Sequence, residues 1–234
     1  MNARTEIVAI DCLMVRLFEQ IDERNSPWLL AAAQRLKEHF GAALIDLVPS
    51  YTTLMLHVDL RLVSGQQARL GVAQALEGLQ PLAGGQVREH QLPVWYDVSV
   101  GPELPLLARQ TGLSVSQVIE LHSQHHYQVF ALGFAPGFAY MGLVDERIAA
   151  PRIATPRKRV PAGSVGIAER QTATYPRMSP GGWNILGRTP ATLFDLALEG
   201  HSLLQPGDRV RFVPIERNEF IRLGGDDSPL EALA

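Results

Sequence analysis

Between residues 130 and 190, aromatic side chains alternate with prolines and glycines in a pattern that suits a binding pocket better than a core strand. The stretch GFAPGFAY places Phe134, Phe138 and Tyr140 around a Pro136-Gly137 pair, which would turn the chain as it leaves a strand. Such a loop points backbone N–H groups to one side, while the flanking rings cover the faces of a planar polar ligand. A simple turn with core-facing aromatic residues is the alternative.

A second stretch, residues 151–190, combines basic residues with prolines that restrict the backbone. Arg152, Arg157, Lys158 and Arg159 lie within eight residues of one another, and they form either a solvated basic loop or a site for an anion. A loop stiffened by prolines loses less entropy when it grips a ligand, which favours the anion site. The SPGGW motif of residues 179–183 adds two glycines that permit close backbone approach and an aromatic wall.

Two other groups of residues are weaker candidates for a functional site. Ser164 lies in AGSVG, which is close to a nucleophile elbow, but no helix pattern follows it as that motif requires. His122 and His126 are four residues apart at the end of a predicted helix, yet nothing nearby completes a ligand set, so we predict no metal. His122 alone is either a buried, hydrogen-bonded histidine or a proton carrier that faces the pocket.

The elements that must position these residues fall into two groups. Residues 1–86 alternate strand and helix patterns, with helices capped by Ser26 and Ser64, which predicts a small α/β sandwich. A polar, glycine-containing stretch at residues 81–90 marks the boundary. Residues 87–234 begin with a strand and two short helices, one ended by Gly112 and the next capped by Ser114. Short strands dense in turn residues follow and predict an irregular β-barrel, and the last residues resemble a loosely held tail.

The overall composition and net charge exclude several classes of partner, site and segment. The net charge of −3 gives no basic character that would indicate a nucleic-acid partner. The single cysteine, Cys12, excludes an internal disulfide and a cysteine-based zinc site, and it fits a reducing cytoplasm. We expect neither a signal peptide nor a membrane span, because the first residues lack the required pattern and no run of about 18 apolar residues exists.

Several segments resemble the family that contains the B component of prokaryotic 5-oxoprolinase, together with KipI, a sporulation-kinase inhibitor, and proteins labelled as the first component of allophanate hydrolase. They are LHSQHHYQVFALGFAPGFAYMG, PRKRVPAGSVGIAERQTATYPRMSPGGWNILGRTP and LLQPGDRVRFVPI, with LVPSYTTLMLHVD and LPVWYD earlier in the chain. The resemblance covers almost the full length. It departs from the family pattern at Ile10-Asp11, where a Gly-Asp pair is common, and at Ala139 within the PGFPYL-type motif.

The resemblance implies an α+β protein with a small N-terminal α/β sandwich and a C-terminal cyclophilin-like β-barrel. It implies two partners, a KipA-like C component and a LamB/YcsF-like A component, which act with this chain and ATP to open 5-oxoproline to glutamate. The chain alone is then expected to be inactive, and ATP is expected to be held by a partner or shared with it. The alternatives are a KipI-type inhibitor of a sensor histidine kinase and a protein that acts on another amide or urea-related substrate.

Together these arguments give one set of expected site residues for a small anionic substrate. His122, Arg157 and Arg188 are expected to be catalytic, by moving a proton or by stabilising negative charge. The expected substrate-binding residues are Pro136, Gly137, Phe138, Tyr140, Ser164, Gln171, Tyr175, Ser179, Gly181, Gly182 and Trp183.

Overall fold

A computed structural model of the chain describes residues 3–82, 87–198 and 200–231. The chain divides into two compact units, residues 1–87 and 88–234. The boundary that the sequence predicts, between residues 86 and 87, falls at a segment (83–86) outside the described residues. Among the described residues, no helix has both the length and the apolar character needed to cross a membrane.

The N-terminal unit is a four-stranded antiparallel sheet with two helices. The strands occur in the order β1-β2-β4-β3 and one face of the sheet, with Val15, Leu54 and Leu56, is fully buried in a cluster that includes helix residues such as Leu36. The elements are β1 (Arg4–Ala9), β2 (Cys12–Arg16), α1 (Ser26–Phe40), β3 (Leu44–Ser50), β4 (Thr53–Val58) and α2 (Gly65–Ala75). The apolar run at residues 6–18 forms most of a β1–β2 hairpin, because Ile10 and Asp11 turn the chain.

Helix boundaries follow the predicted signals with one exception. The Ser64 hydroxyl accepts a hydrogen bond from the Gln67 N–H in a capping box, and Ser114 does the same for Gln117. Gly112 ends its helix in the left-handed region. Ser26, however, is the first helical residue rather than the cap.

The C-terminal unit is built on a mixed seven-stranded sheet with the order β12-β9-β10-β7-β6-β13-β5. An antiparallel bridge between Trp95 and Arg188 joins the two ends of that order, with N–O distances of 2.9 and 3.0 Å, so the sheet is nearly closed into a barrel. The elements are β5 (Glu89–Val94), α3 (Leu104–Thr111), α4 (Val115–Ser123), β6 (Tyr127–Leu132), β7 (Ala139–Gly142), β8 (Arg157–Val160), β9 (Ser164–Ala168), β10 (Gln171–Thr174), β11 (Ser179–Gly181), β12 (Asn184–Arg188), β13 (Arg209–Pro214) and α5 (Arg217–Arg222). The predicted α+β class with a small sandwich and a barrel is confirmed.

Two features outside the barrel sheet matter for function. Strands β8 and β11 form a separate two-stranded ribbon, with Gly181 opposite Arg157. The final segment, predicted to be loose, is held over residues 226–231: the Leu230 N–H donates to the Ser99 carbonyl at 2.7 Å, and Leu230 packs against a cluster that contains Tyr175 and Trp183. The tail therefore belongs to the fold of this unit.

Candidate binding pocket

The proline- and glycine-rich segments meet at one pocket in the C-terminal unit, which we call the aromatic pocket. Its volume is about 80 Å³. Strands β7 and β11 and four connecting segments supply its lining. The lining residues are Phe134, Phe138, Tyr140, Arg152, Tyr175, Pro180, Gly181, Gly182 and Trp183.

The GFAPGFAY loop supplies one wall of this pocket. The Gly133 N–H donates to the Phe138 carbonyl at 3.1 Å, and the Phe138 N–H donates to the Ala135 carbonyl at 2.9 Å, so the turn is closed on itself. Phe134 lies in the left-handed region with φ 70° and the residue is 57% exposed. A bulky residue in that region is costly, and such strain is concentrated at functional sites. The loop therefore presents an exposed ring at the mouth of the pocket.

Phe138 is the centre of the aromatic wall. Its ring meets Phe134, Tyr140, Tyr175 and Trp183 edge to face, with centroid separations of 5.1, 4.9, 5.4 and 5.8 Å. Edge-to-face pairs add about 0.5–1.5 kcal/mol each beyond the area they bury. The wall is thus rigid before any ligand arrives, which lowers the entropic cost of binding.

Tyr175 forms the floor with Gly181. A Cβ atom at Gly181 would lie 2.2 Å from the Tyr175 hydroxyl oxygen, so only glycine allows the ribbon to approach that ring. Burial raises the pKa of Tyr175 to about 12, while a backbone hydrogen bond at Trp183 and the charge of Arg152 oppose the rise. The phenol is therefore neutral at physiological pH.

Arg152 supplies the positive charge of the pocket. Its side chain is exposed, it lines the pocket, and its charge acts on Tyr175. Within the part of the chain that the structure describes, it forms no salt bridge. A guanidinium without a carboxylate partner at the rim of an aromatic pocket is suited to bind a carboxylate or phosphate in a forked geometry.

Arg157, predicted to contact the substrate, is instead buried in the interior of the C-terminal unit. Its side chain lies on β8 and forms a buried ion pair with Glu103, at 2.6 Å between Nη2 and Oε1. Glu103 also accepts a hydrogen bond from the Ile185 N–H at 2.9 Å. The pair stabilises the base of the ribbon, and Arg152 takes the position beside the pocket that we had expected for Arg157.

Arg188, the second predicted arginine, is 1% exposed and does not line the pocket. Its Nη1 donates to the carbonyl oxygens of Asp226 and Ser228, at 2.5 and 2.9 Å. Burial lowers the pKa of this guanidinium. The arrangement makes Arg188 an anchor for the C-terminal segment, while its Nε and Nη2 atoms are buried without a hydrogen-bond partner among the described residues.

His122 is a core residue, not a proton carrier at the pocket. It is fully buried and stacks on Phe212 with a centroid separation of 4.7 Å. The Tyr96 hydroxyl donates to Nδ1 at 2.7 Å, and Nε2–H donates to the Thr172 hydroxyl at 2.9 Å, which in turn donates to the Gly166 carbonyl. Burial lowers the pKa of His122 to about 3. Both ring nitrogens are satisfied in the neutral form, so the structure supports the buried, hydrogen-bonded interpretation of this histidine.

The eleven residues that were expected to bind substrate fall into two groups, those that line the pocket and those that do not. Six of them meet in the pocket: Phe138, Tyr140, Tyr175, Gly181, Gly182 and Trp183. Five others lie outside the lining: Pro136, Gly137, Ser164, Gln171 and Ser179. A Cβ at Gly137 would meet the Leu193 carbonyl at 2.8 Å, so this glycine faces another loop. Ser164 is fully buried within strand β9, which removes the geometry of a nucleophile elbow.

Arg152, Phe134 and Pro180 complete the pocket. The sequence predicts Phe134 as a flanking ring and Arg152 as part of the basic stretch, but the expected set of catalytic and substrate-binding residues includes none of the three. Arg152 does carry a signal in the sequence. It precedes the strand-forming RKRV run, whereas Arg157 and Val160 begin and end that run and both are buried. A basic residue outside a strand is free to reach a ligand, while a buried basic residue within a strand needs a partner.

The chain matches one family model, and proteins with known names resemble it over most of its length. Residues 3–204 match the model of the carboxyltransferase domain, subdomain C and D. A protein of Bacillus subtilis named as the B component of 5-oxoprolinase is 35% identical over 219 residues, which span 89% of this chain and 91% of that protein. One of the same name from Escherichia coli is 49% identical, over 59% of this chain and 62% of its own length. The crystal structure of TTHA0988 superposes with a TM-score of 0.77 and 38% identity over 88% of this chain, which corresponds to 40% of TTHA0988.

Proposed function

The chain belongs to the carboxyltransferase-domain family and, within it, to the proteins that form the B component of 5-oxoprolinase, and we propose that it binds 5-oxoproline as one part of an ATP-dependent 5-oxoprolinase. The observation that carries the proposal is the pairing of the unpartnered Arg152 with the aromatic pocket. 5-Oxoproline is a compact, flat lactam with one carboxylate. An arginine fork for the carboxylate and aromatic edges for the ring match that shape.

The small size of the pocket supports a shared site. Pockets that enclose a whole small molecule usually measure about 300–1,000 Å³, whereas this one measures about 80 Å³. We propose that the ring of the ligand occupies this pocket and that another surface covers the rest of the molecule. We propose that a KipA-like C component supplies that surface; the match to TTHA0988 covers 40% of that chain, so the larger part of that protein lies outside the matched region.

The lining also lacks a group that accepts a proton near neutral pH. Opening a lactam requires a proton donor and acceptor and an activated amide oxygen; the phenols of Tyr140 and Tyr175 can donate a proton, but the described residues of the lining include no histidine, carboxylate, lysine or cysteine to accept one. We therefore propose that the partner proteins supply the base and hold ATP, with a LamB/YcsF-like A component as the third member. On this proposal the chain is inactive by itself and works in the cytoplasm, where 5-oxoproline and ATP are available.

The test is reconstitution from purified proteins. This chain, a KipA-like protein and a LamB/YcsF-like protein are mixed with ATP and 5-oxoproline, and glutamate is measured; we expect product only when all three are present. Failure of three folded, co-purifying proteins to form glutamate would exclude the proposed reaction. A substrate panel with other cyclic amides and urea derivatives in the same assay distinguishes the alternative substrates.

A matched pair of substitutions tests the role of the pocket within that assay. Arg152→Gln removes the charged hydrogen bond to the carboxylate, worth about 1.5–3 kcal/mol, so KM should rise roughly tenfold to hundredfold. Lys158→Gln removes an exposed charge from the same basic stretch without touching the pocket and should leave KM unchanged. Equal KM values for the two variants would show that the pocket is not the carboxylate site.

A further inference from the structure

Three side chains of types that ligate metals converge in the N-terminal unit, apart from the aromatic pocket. Asp11 lies in the turn between β1 and β2, Cys12 begins β2, and His57 lies on β4. The His57 Nε2 atom is 3.0 Å from Asp11 Oδ2, and Cys12 Sγ is 3.5 Å from Asp11 Oδ1. The three donor atoms all lie within 4.8 Å of one another.

The sheet fixes this arrangement. Cys12 and His57 are directly opposite each other in the β2–β4 pair, so their side chains project from the same face. The Val58 N–H donates to the Asp11 carbonyl at 2.9 Å, which ties the turn to the strand that carries His57. The opposite face holds the buried core, so the cluster lies on the open face with the His57 and Asp11 side chains 32% and 37% exposed.

We propose that Asp11, Cys12 and His57 form a binding site for a zinc-type divalent transition metal. Thiolate, imidazole and carboxylate together suit Zn²⁺, whereas Mg²⁺ and Ca²⁺ prefer oxygen ligands alone. Bond lengths of about 2.0–2.3 Å to such a metal place tetrahedral ligand atoms roughly 3.3–3.7 Å apart, close to the two separations above. The third separation, between the Cys12 sulfur and the His57 ring nitrogen, is at most 4.8 Å, and on this proposal metal binding would shorten it.

Three protein ligands leave a fourth position for water or another group. Asp46 lies opposite His57 on β3, on the same face of the sheet. Its carboxylate currently accepts a hydrogen bond from the Leu47 N–H at 2.8 Å. The single cysteine of the chain excludes only sites with several thiolates, whereas a mixed ligand set needs one.

The proposal does not depend on the function of the aromatic pocket. The purified full-length chain, stripped with chelator and kept reduced, is titrated with Co²⁺. A tetrahedral site with one thiolate gives a sulfur-to-cobalt charge-transfer band in the near ultraviolet together with visible d–d bands, which saturate at one equivalent. Zinc measured by mass spectrometry after dialysis should likewise reach one atom per chain.

Substitutions decide whether these three residues are the ligands. Cys12→Ser should abolish the charge-transfer band, and His57→Ala and Asp11→Asn should each weaken Co²⁺ affinity at least about tenfold. His39→Ala removes an exposed histidine from the same unit and should change nothing. Circular dichroism checks that each variant is folded. Absence of the band in the folded wild type, its survival in Cys12→Ser, or equal effects of His39→Ala and His57→Ala would overturn the proposal.

Discussion

The Arg157 guanidinium and the Glu103 carboxylate form a bidentate pair, Nη1 to Oε2 at 3.2 Å and Nη2 to Oε1 at 2.6 Å, with both side chains buried. The two residues are 54 positions apart and join the start of α3 to the ribbon that borders the aromatic pocket. Because Glu103 also accepts the Ile185 N–H, it bridges the ribbon and β12. The pair therefore acts on the pocket indirectly, by fixing the strand opposite Gly181.

Replacing one partner of this pair should lower the free energy of unfolding far more than replacing Arg152, the arginine of the pocket. Glu103→Ala leaves a buried guanidinium and an unpaired N–H, so we expect a loss of about 3–5 kcal/mol in the free energy of unfolding. Urea denaturation measures it. Arg152→Gln, at the exposed position, should change stability by less than about 0.5 kcal/mol. Comparable losses for the two variants would contradict the assignment of Arg157 to structure and Arg152 to binding.

The sequence predicts the aromatic half of the pocket better than its charge. Prolines and glycines dictate local turns, so the turn before β7 and the close backbone approach beside Trp183 could be predicted from the pattern of Phe138, Gly181 and Trp183. The choice among arginines fails because spacing along the chain does not reveal a carboxylate that lies on another element. For the same reason His122 needed Thr172, 50 residues away, before its role could be assigned.

His122 should make stability depend on pH. Burial holds its folded pKa at about 3, below the usual 6.5, so below about pH 6.5 the unfolded chain binds a proton that the folded chain does not. The contribution is complete above the unfolded pKa and falls by about 1.4 kcal/mol for each pH unit as the pH drops toward the folded value. Urea unfolding across this range should show that slope.

Carboxyl groups also make the free energy of unfolding depend on pH. The variant His122→Gln separates the contribution of His122 from theirs. It is less stable near neutral pH because it loses the stacking on Phe212, but its stability should decline less steeply with falling pH. Parallel slopes in wild type and variant would mean that His122 does not carry the dependence.

The adjacent glycines of the SPGGW motif provide a matched pair for the pocket floor. Gly181→Ala places a methyl group against the Tyr175 hydroxyl and should weaken 5-oxoproline binding to the assembled complex by about tenfold or more, a loss of roughly 1.4 kcal/mol. Gly182→Ala meets its nearest atom, in Pro156, at 3.5 Å, which is an ordinary contact. Its affinity, measured by isothermal titration, should therefore fall much less than that of Gly181→Ala. If Gly182→Ala weakened binding as much as Gly181→Ala, the floor of the site would lie elsewhere.

A second glycine pair tests whether the loop conformation is required. Gly137 has φ 80°, and an added Cβ would meet the Leu193 carbonyl at 2.8 Å; Gly137→Ala should therefore cost about 1–3 kcal/mol in the free energy of unfolding. Gly133, at the other end of the loop, has room for a Cβ, with the Tyr140 ring at 3.8 Å, so Gly133→Ala should stay within about 1 kcal/mol of wild type. Urea denaturation of both variants gives the comparison. Because the loop holds Phe134 and Phe138 in the pocket wall, folded Gly137→Ala should also bind 5-oxoproline more weakly than wild type in the assembled complex. If the variant were less stable but bound 5-oxoproline normally, the pocket wall would form independently of this turn.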